Sequence, residues 1–492
     1  MSIGITGFGA YIPRLRLSRQ AVVAANAWYA PELKGKARGH RAMANWDEDS
    51  ITMAVAAARD ALGGQDRQGR VREVILASCT LPFAERLNAT VVAEALNLDE
   101  YAGASDVTGS QCAALAGFAQ ALASAQAQPG TVLLTAADNR RSRAASTQEL
   151  DYGDGAAALL FGREGVLAEV LGQAALSVDF IDHFRLNGRD IDYHGEERWV
   201  RDEGVSRCLP QVIQRALRDS SVDAEAVAHF IFPSSLAKLD VQLAQACGIR
   251  AEAVVDGLAN EVGNTGVGHG LLLLARVLEH AEPGQVIVLA QFGSGARAVV
   301  LRVTEAIRQF QARRGVAGWL ARGREELSYT RFLAYKGQLQ LERGVRGEQD
   351  KKTALSTAYR HRRAILGMVA GRCRVSGDVH FPPSRLSYTP NAAALDSQEA
   401  YPLADRLGRV LSWSAESLSS YMAPPHHYGQ IDFDGGGRLL MEFTDVAKGE
   451  VQTALEVEMV FRIKDIDDAR GFKRYFWKAT PVSIPAPQAP LE

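Results

Sequence analysis

The chain has 492 residues, 47% hydrophobic and 23% charged, which places it among globular proteins with length enough for roughly two to four domains. Its 55 basic and 57 acidic residues leave a formal net charge of -2 and form no long block of one sign, so the sequence predicts neither a nucleic-acid footprint nor a polybasic membrane patch. No stretch reaches the roughly 18 apolar residues of a membrane span, and Met1 to Arg14 lacks the charged start and apolar run of a signal peptide. The expectation is a cytoplasmic protein acting on small or locally recognised ligands. Its five cysteines (Cys79, Cys112, Cys208, Cys247, Cys373) are odd in number and scattered, which fits reduced thiols better than a disulfide framework.

Along the chain, "EVILASCTLPFA" (73–84) is a predicted strand running into a polar turn. Cys112 follows a Thr-Gly-Ser-Gln turn and opens "CAALAGFAQALASAQA", helical in period. "QPGTVLLTAAD" (128–138) is a Pro-Gly turn and a buried strand, and "GDGAAALLFG" leads by a glycine hairpin into another. The same elements then recur as "VAHFIFPSSLAK", "GVGHGLLLLARVLEHA", "EPGQVIVLAQF" and "GSGARAVVLRV", with Pro129 and Pro283 standing 154 residues apart. Two copies of such a unit predict an α/β protein: two mixed sheets packed through buried central helices about a pseudo-twofold axis. Helices starting near Cys112 and Asn264 would then point their N-termini to one place, which favours a thiolate and a developing oxyanion. A lone cysteine in an Ala-rich helix is also an ordinary core residue. Its place at the helix start, opposite "NEVGNTGVG", tips the balance toward a nucleophile.

From Ile3 to about Val303 the chain resembles the condensing enzymes of the thiolase superfamily, most of all microbial 3-hydroxy-3-methylglutaryl-CoA synthase, with ketoacyl-carrier-protein synthase III further off. The resemblance is carried by "GFGAYIPRLRL", "NWDEDSITMAVAAARDAL", the cysteine turn, "DYGDGAAALLFG", "NEVGNTGVGHG" and "QFGSGA". It implies that Cys112 takes an acyl group from CoA and that a carbon–carbon bond then forms to a small-molecule acceptor. It further implies an oxyanion hole from the backbone N–H of Cys112 and one around Ser294 and Gly295, a thioester-holding role for Asn264, and a homodimer. "GNTG" is equally a turn with a helix cap. The chain departs from the family where a glutamate acid/base and a histidine are expected: Cys79 stands at the first position, and Pro233 or Ser234, depending on alignment, at the second. Cys79 and Pro233 are themselves 154 residues apart. Losing the glutamate removes a proton donor worth roughly two to four orders of magnitude in rate, which argues against hydroxymethylglutaryl-CoA formation. His269, five residues beyond Asn264, is a candidate replacement base or a core histidine. Cys79 is a space-filler or a proton relay, and Lys238 a candidate CoA contact.

The domain boundaries expected are 1–170 and 171–305 for the two halves, 306–370 for a helical linker, and 371–492 for a small β-barrel. That last region resembles the zinc-ribbon and OB-fold proteins that accompany thiolases, through "FPPSR", "DFDGGGRLLMEFTD" and "MVFRIKD". Only Cys373 remains of the ribbon's cysteines, with Ser376 where its partner would be, so neither zinc nor any other cofactor is expected. The reading is an acyl-CoA-dependent acyltransferase. A degradative thiolase or retro-aldol enzyme, and a non-catalytic scaffold for a partner thiolase, remain the alternatives.

Overall fold

The computed structural model describes residues 2–63, 70–236, 238–347, 352, 354–389 and 392–483. The chain divides into two compact units, one of Met1–Ala44, Asp49–Val92 and Leu98–Lys336, the other of Asn45–Glu48, Ala93–Asn97 and Gly337–Glu492. No helix of the described residues is long and apolar enough to cross a membrane.

The first unit is built on strands β1 (Gly4–Tyr11), β2 (Val71–Ala77), β3 (Gly103–Val107), β4 (Thr131–Asp138), β5 (Gly155–Gly162), β6 (Ala168–Ser177), β7 (Val227–Ile231), β8 (Val286–Phe292) and β9 (Gly295–Val303). They form one sheet in the order β7-β8-β9-β6-β1-β5-β4-β2-β3. The repeat is visible in its pairing. In the first half β2 runs parallel to β4, β4 antiparallel to β5 and β5 antiparallel to β1. In the second half β7, β8, β9 and β6 repeat that pattern. The two sheets expected from sequence are thus one, because β1 pairs with β6 through Gly4 and Ile5. Gly4 permits the junction, since a Cβ there would lie 2.1 Å from the Ala168 carbonyl oxygen.

Helix α1 (Ser50–Leu62) is started by a capping box, the Asp49 carboxylate accepting from the N–H groups of Ile51 and Thr52. Helices α2 (Ala113–Ala127), α3 (Ser206–Asp219), α4 (Leu239–Ala246) and α5 (His269–Leu278) follow. Ala113, Leu115, Phe118, Ala121 and Leu122 of α2 and Leu271 to Leu274 of α5 are buried in one core with Ile75, Leu134, Leu289 and Leu301. Small residues set how close the layers come: a Cβ on Gly117 would lie 2.8 Å from Leu134, and one on Gly268 2.6 Å from the Ala136 carbonyl oxygen.

The first part of the stretch expected as a linker belongs to this unit. Arg324–Glu326 pairs in parallel with residues 15–17, Phe332 is buried, and the unit ends at Lys336 rather than at 305. A short strand and a buried aromatic are too brief to show a period in sequence.

The second unit holds a five-stranded antiparallel sheet of β10 (Gly408–Glu416), β11 (His426–Phe433), β12 (Arg438–Glu442), β13 (Glu456–Asp467) and β14 (Phe472–Pro481), in the order β12-β11-β10-β13-β14. Phe443, just past β12, bridges to Ala479 of β14. Buried charges are paired: Lys478 Nζ lies 2.9 Å from Asp47, and Arg462 lies 3.1 Å from Glu48 and 2.9 Å from Asp445. "NWDEDS" therefore serves both units, its first four residues in the second and its last two in the first.

Candidate active site

Cys112 occupies the N-cap position of α2 and is 5% exposed. Its backbone N–H donates to Ser110 Oγ at 3.1 Å, and that hydroxyl donates to the Gly293 carbonyl at 2.6 Å. The cysteine turn is thereby tied to the turn between β8 and β9, where Ser294 adopts φ 49° and Gly295 φ 113°. Burial pushes the Cys112 thiol up to about 12; the Arg297 guanidinium opposes this, Asp182 adds to it, and the Arg297 backbone N–H opposes it. The amide that acts on the sulfur is that of Arg297, two residues beyond the Ser294–Gly295 turn that the sequence offered for an oxyanion hole. The Cys112 N–H is engaged by Ser110.

Asp138, fully buried at the end of β4, joins the two halves. Its Oδ1 accepts from Ser78 Oγ, the Cys79 N–H and Thr80 Oγ1 at 2.8–3.0 Å, and its Oδ2 accepts from the Val267 N–H at 2.9 Å. Cys79 donates through Sγ to the Ser110 carbonyl at 3.3 Å, beside the cysteine turn, and burial foremost holds its thiol up at about 12.

A cavity of about 230 Å³ opens next to this turn, with Gln111, Pro233, Ser234 and Asn264 in its wall. Asn264 Oδ1 accepts from Arg140 at 3.1 Å and from the Gly266 N–H at 2.8 Å, which turns its Nδ2 toward Ser235 Oγ at 3.3 Å. Arg140 lies 3.6 Å above the Tyr152 ring. Tyr152 Oη is 2.7 Å from His194 Nε2, and His194 stacks on His183, whose Nδ1 is 2.7 Å from Asp182 Oδ2. Burial, then the neighbouring His183, lower the pKa of His194.

The sequence singled out His269, and the structure puts it elsewhere. It is 3% exposed and absent from the cavity wall, with Nδ1 3.3 Å from Thr265 Oγ1 and Nε2 3.0 Å from the Gly257 carbonyl. Burial holds it neutral, near 4. Lys238 is exposed, at φ 62° just before α4, between Leu236 and Leu239 of the cavity wall. Sequence reasoning missed Asp182, His183 and His194. The signal was an Asn-Gly pair, Asn187-Gly188, between two histidines, a hairpin mark in a stretch without strand period. In the second unit Cys373 Sγ contacts Ser397 Oγ at 3.2 Å and accepts from the Ser376 N–H at 3.4 Å.

No protein-family model matches the chain. It is 30% identical over 320 residues to the hydroxymethylglutaryl-CoA synthase of Archaeoglobus fulgidus, covering 63% of this chain and 91% of that protein. To the synthase of Aeropyrum pernix it is 29% identical over 346 residues, covering 69% and 95%. Among solved structures, an HMG-CoA synthase complexed with CoA superposes with a TM-score of 0.59 at 18% identity, covering 72% of this chain and 95% of that one. A 3-oxoacyl-(acyl carrier protein) synthase III from Pseudomonas aeruginosa superposes with a TM-score of 0.54 at 23% identity, covering 62% and 99%. Fold and relatives together define a condensing enzyme of the thiolase superfamily. Within that class, the chain belongs to the hydroxymethylglutaryl-CoA synthase family.

Proposed function

We propose that the protein uses acyl-CoA to load an acyl group on Cys112 and joins that group to the carbon of a second substrate, by Claisen condensation or C-acylation. The observation that carries this is a cysteine at the start of a buried central helix, beside a cavity walled by Asn264 and in range of Arg297. Formation of hydroxymethylglutaryl-CoA is not the favoured reaction. Cys79, at the glutamate's place, is a neutral thiol bonded to a backbone carbonyl, and Pro233 and Ser234 offer no imidazole. A donor that is already a stabilised carbanion suits such a site, since it asks less of a base.

The family resemblance supports a homodimer. The five-stranded sheet of the second unit supports an OB-type module, and the engagement of Cys373 by two serines supports a chain that works without zinc. The observation favouring the scaffold alternative is the raised Cys112 thiol. Intact-protein mass spectrometry after mixing with a panel of acyl-CoAs decides between the two. An acyl increment present in wild type and absent in Cys112→Ala is expected. No increment with any donor would turn the assignment to a non-catalytic acyl-CoA-binding partner of a thiolase.

A further inference from the structure

We propose that His183, oriented by Asp182, is the acid and base of this site and supplies the proton transfers that Cys79, Pro233 and Ser234 cannot. The proposal rests on the acyl-Cys112 reading. His183 and His194 come from two-residue strands, His183–Phe184 and Tyr193–His194, that pair antiparallel. The arm they belong to is fastened to the turn of the lost glutamate: Arg185 donates to the Cys79 carbonyl and lies 3.2 Å from Asp192. Asp182, His183 and His194 line the same cavity as Pro233, Ser234 and Asn264. A pair of imidazoles thus shares the cavity of Pro233 and Ser234, on an arm bonded to the Cys79 turn.

The geometry selects His183 of the two. Its Nδ1 faces the Asp182 carboxylate at 2.7 Å, and an acceptor-only partner fixes the proton on Nδ1 and leaves the Nε2 lone pair free to take another. Asp182 then stabilises the imidazolium that forms, the arrangement in which carboxylate-backed histidines act as bases. His194 has its Nε2 committed to Tyr152 Oη and packs its ring against His183 at a centroid separation of 5.7 Å. The titratable and charged groups about the pair include Asp151, Tyr152, Arg140, Asp182 and Glu197 of the cavity wall and Arg185 and Asp192 of the arm, and burial, then the neighbouring His183, lower the pKa of His194. The dyad is also in electrostatic range of the nucleophile, because Asp182 is among the charges that raise the Cys112 thiol. Asp182 and His183 are 15% and 17% exposed, so water is largely excluded while a ligand in the cavity can still reach them.

The step balances without a co-reactant. An acyl thioester in the cavity gives a Cα proton to His183 Nε2, and the resulting carbanion bonds to the carbonyl carbon of acyl-Cys112. The carbon–sulfur bond to Cys112 then breaks with its electron pair on sulfur, and the imidazolium returns its proton to that thiolate.

The test uses the full chain, acetyl-, propionyl- and octanoyl-CoA, and deuterated water. Mass spectrometry reads two quantities: the acyl increment on Cys112, and deuterium entering Cα of the thioester. For His183→Gln the expected result is deuterium entry reduced roughly 10²- to 10⁴-fold, well beyond any fall in the acylation of Cys112. Such a split between exchange and acylation is one that loss of packing alone would not cause. Asp182→Asn, a gentler change at the same dyad, should lose a smaller part of the exchange. Unchanged exchange in His183→Gln, or acylation and exchange falling together in both variants, would overturn the assignment. Wild type that never acquires an acyl increment overturns the acyl-Cys112 reading itself, and His183 as its base falls with it.

Discussion

The free protein holds Cys112 as an unreactive thiol, and the size of that effect can be measured. Burial moves its pKa from 9.0 to about 12, about 4 kcal/mol against the thiolate. At pH 7 the thiolate fraction falls from about 10⁻² to about 10⁻⁵, and only the thiolate reacts. Alkylation by iodoacetamide, followed peptide by peptide, should therefore rise tenfold per pH unit at Cys112 throughout pH 6 to 10. Slow access to a buried site lowers every rate equally, so the slope and not the absolute rate is diagnostic. The side chains that tune it give the sign: Arg297→Ala should slow the reaction at each pH and Asp182→Asn should speed it, because the guanidinium favours the thiolate and the carboxylate opposes it. A plateau below pH 9 in wild type would refute the reasoning, since it would mean a thiolate already formed without substrate.

Cys373 should behave in the opposite way. Hydrogen bonds from Ser376 and Ser397 lower its thiol to about 6, so its alkylation should be flat above pH 7 and fall below pH 6. The sign for stability follows: the stabilisation is fully present above the unfolded thiol's pKa and lost as pH falls through 6, so Cys373→Ser should flatten the rise in urea midpoint between pH 6 and 9. Lys336→Met leaves the buried Asp154 without its ammonium partner at 2.7 Å and should cost about 3–5 kcal/mol in urea unfolding of the first unit. A loss below about 1 kcal/mol would mean the pair is not buried as described.

The repeat was legible because Pro129-Gly130 and Pro283-Gly284 punctuate two continuous apolar strands, and such strands leave little doubt of their burial. Cys112 and Asn264 were legible for a related reason: both sit in polar turns that open apolar helices. The junction of the two half-sheets was not, because it depends on two residue pairs and on Gly4 lacking a side chain. The two readings of His269, base or core histidine, could not be separated in sequence because α5 is buried on nearly every side, so period cannot tell which way its ring faces; Thr265 and Gly257 satisfy it in place. His183 and His194 were hidden because two-residue strands have no period, and what brings them to the cavity is a tertiary fold-back fastened by Arg185.

Asp138 ties the two halves of the first unit together at the candidate site. One buried carboxylate gathers Ser78, Cys79 and Thr80 from the first half and Val267 from the second, so the Ser78–Thr80 turn and the start of α5 share one anchor. Burial raises its pKa, yet four converging donors ask for the ionised form, because a proton on Oδ2 would face the Val267 N–H. Asp138→Asn separates charge from shape. Its remaining oxygen can serve the Ser78–Cys79–Thr80 side, but its amide then confronts the Val267 N–H, leaving a buried donor unsatisfied at about 1–3 kcal/mol. Asp138→Ala loses all four bonds and should cost more, with Cys112 acylation falling alongside stability as both turns loosen. Urea unfolding and the acylation assay on the two variants read these effects together. An Asn variant as stable as wild type would show that the carboxyl is already protonated, and the two turns would then need another anchor.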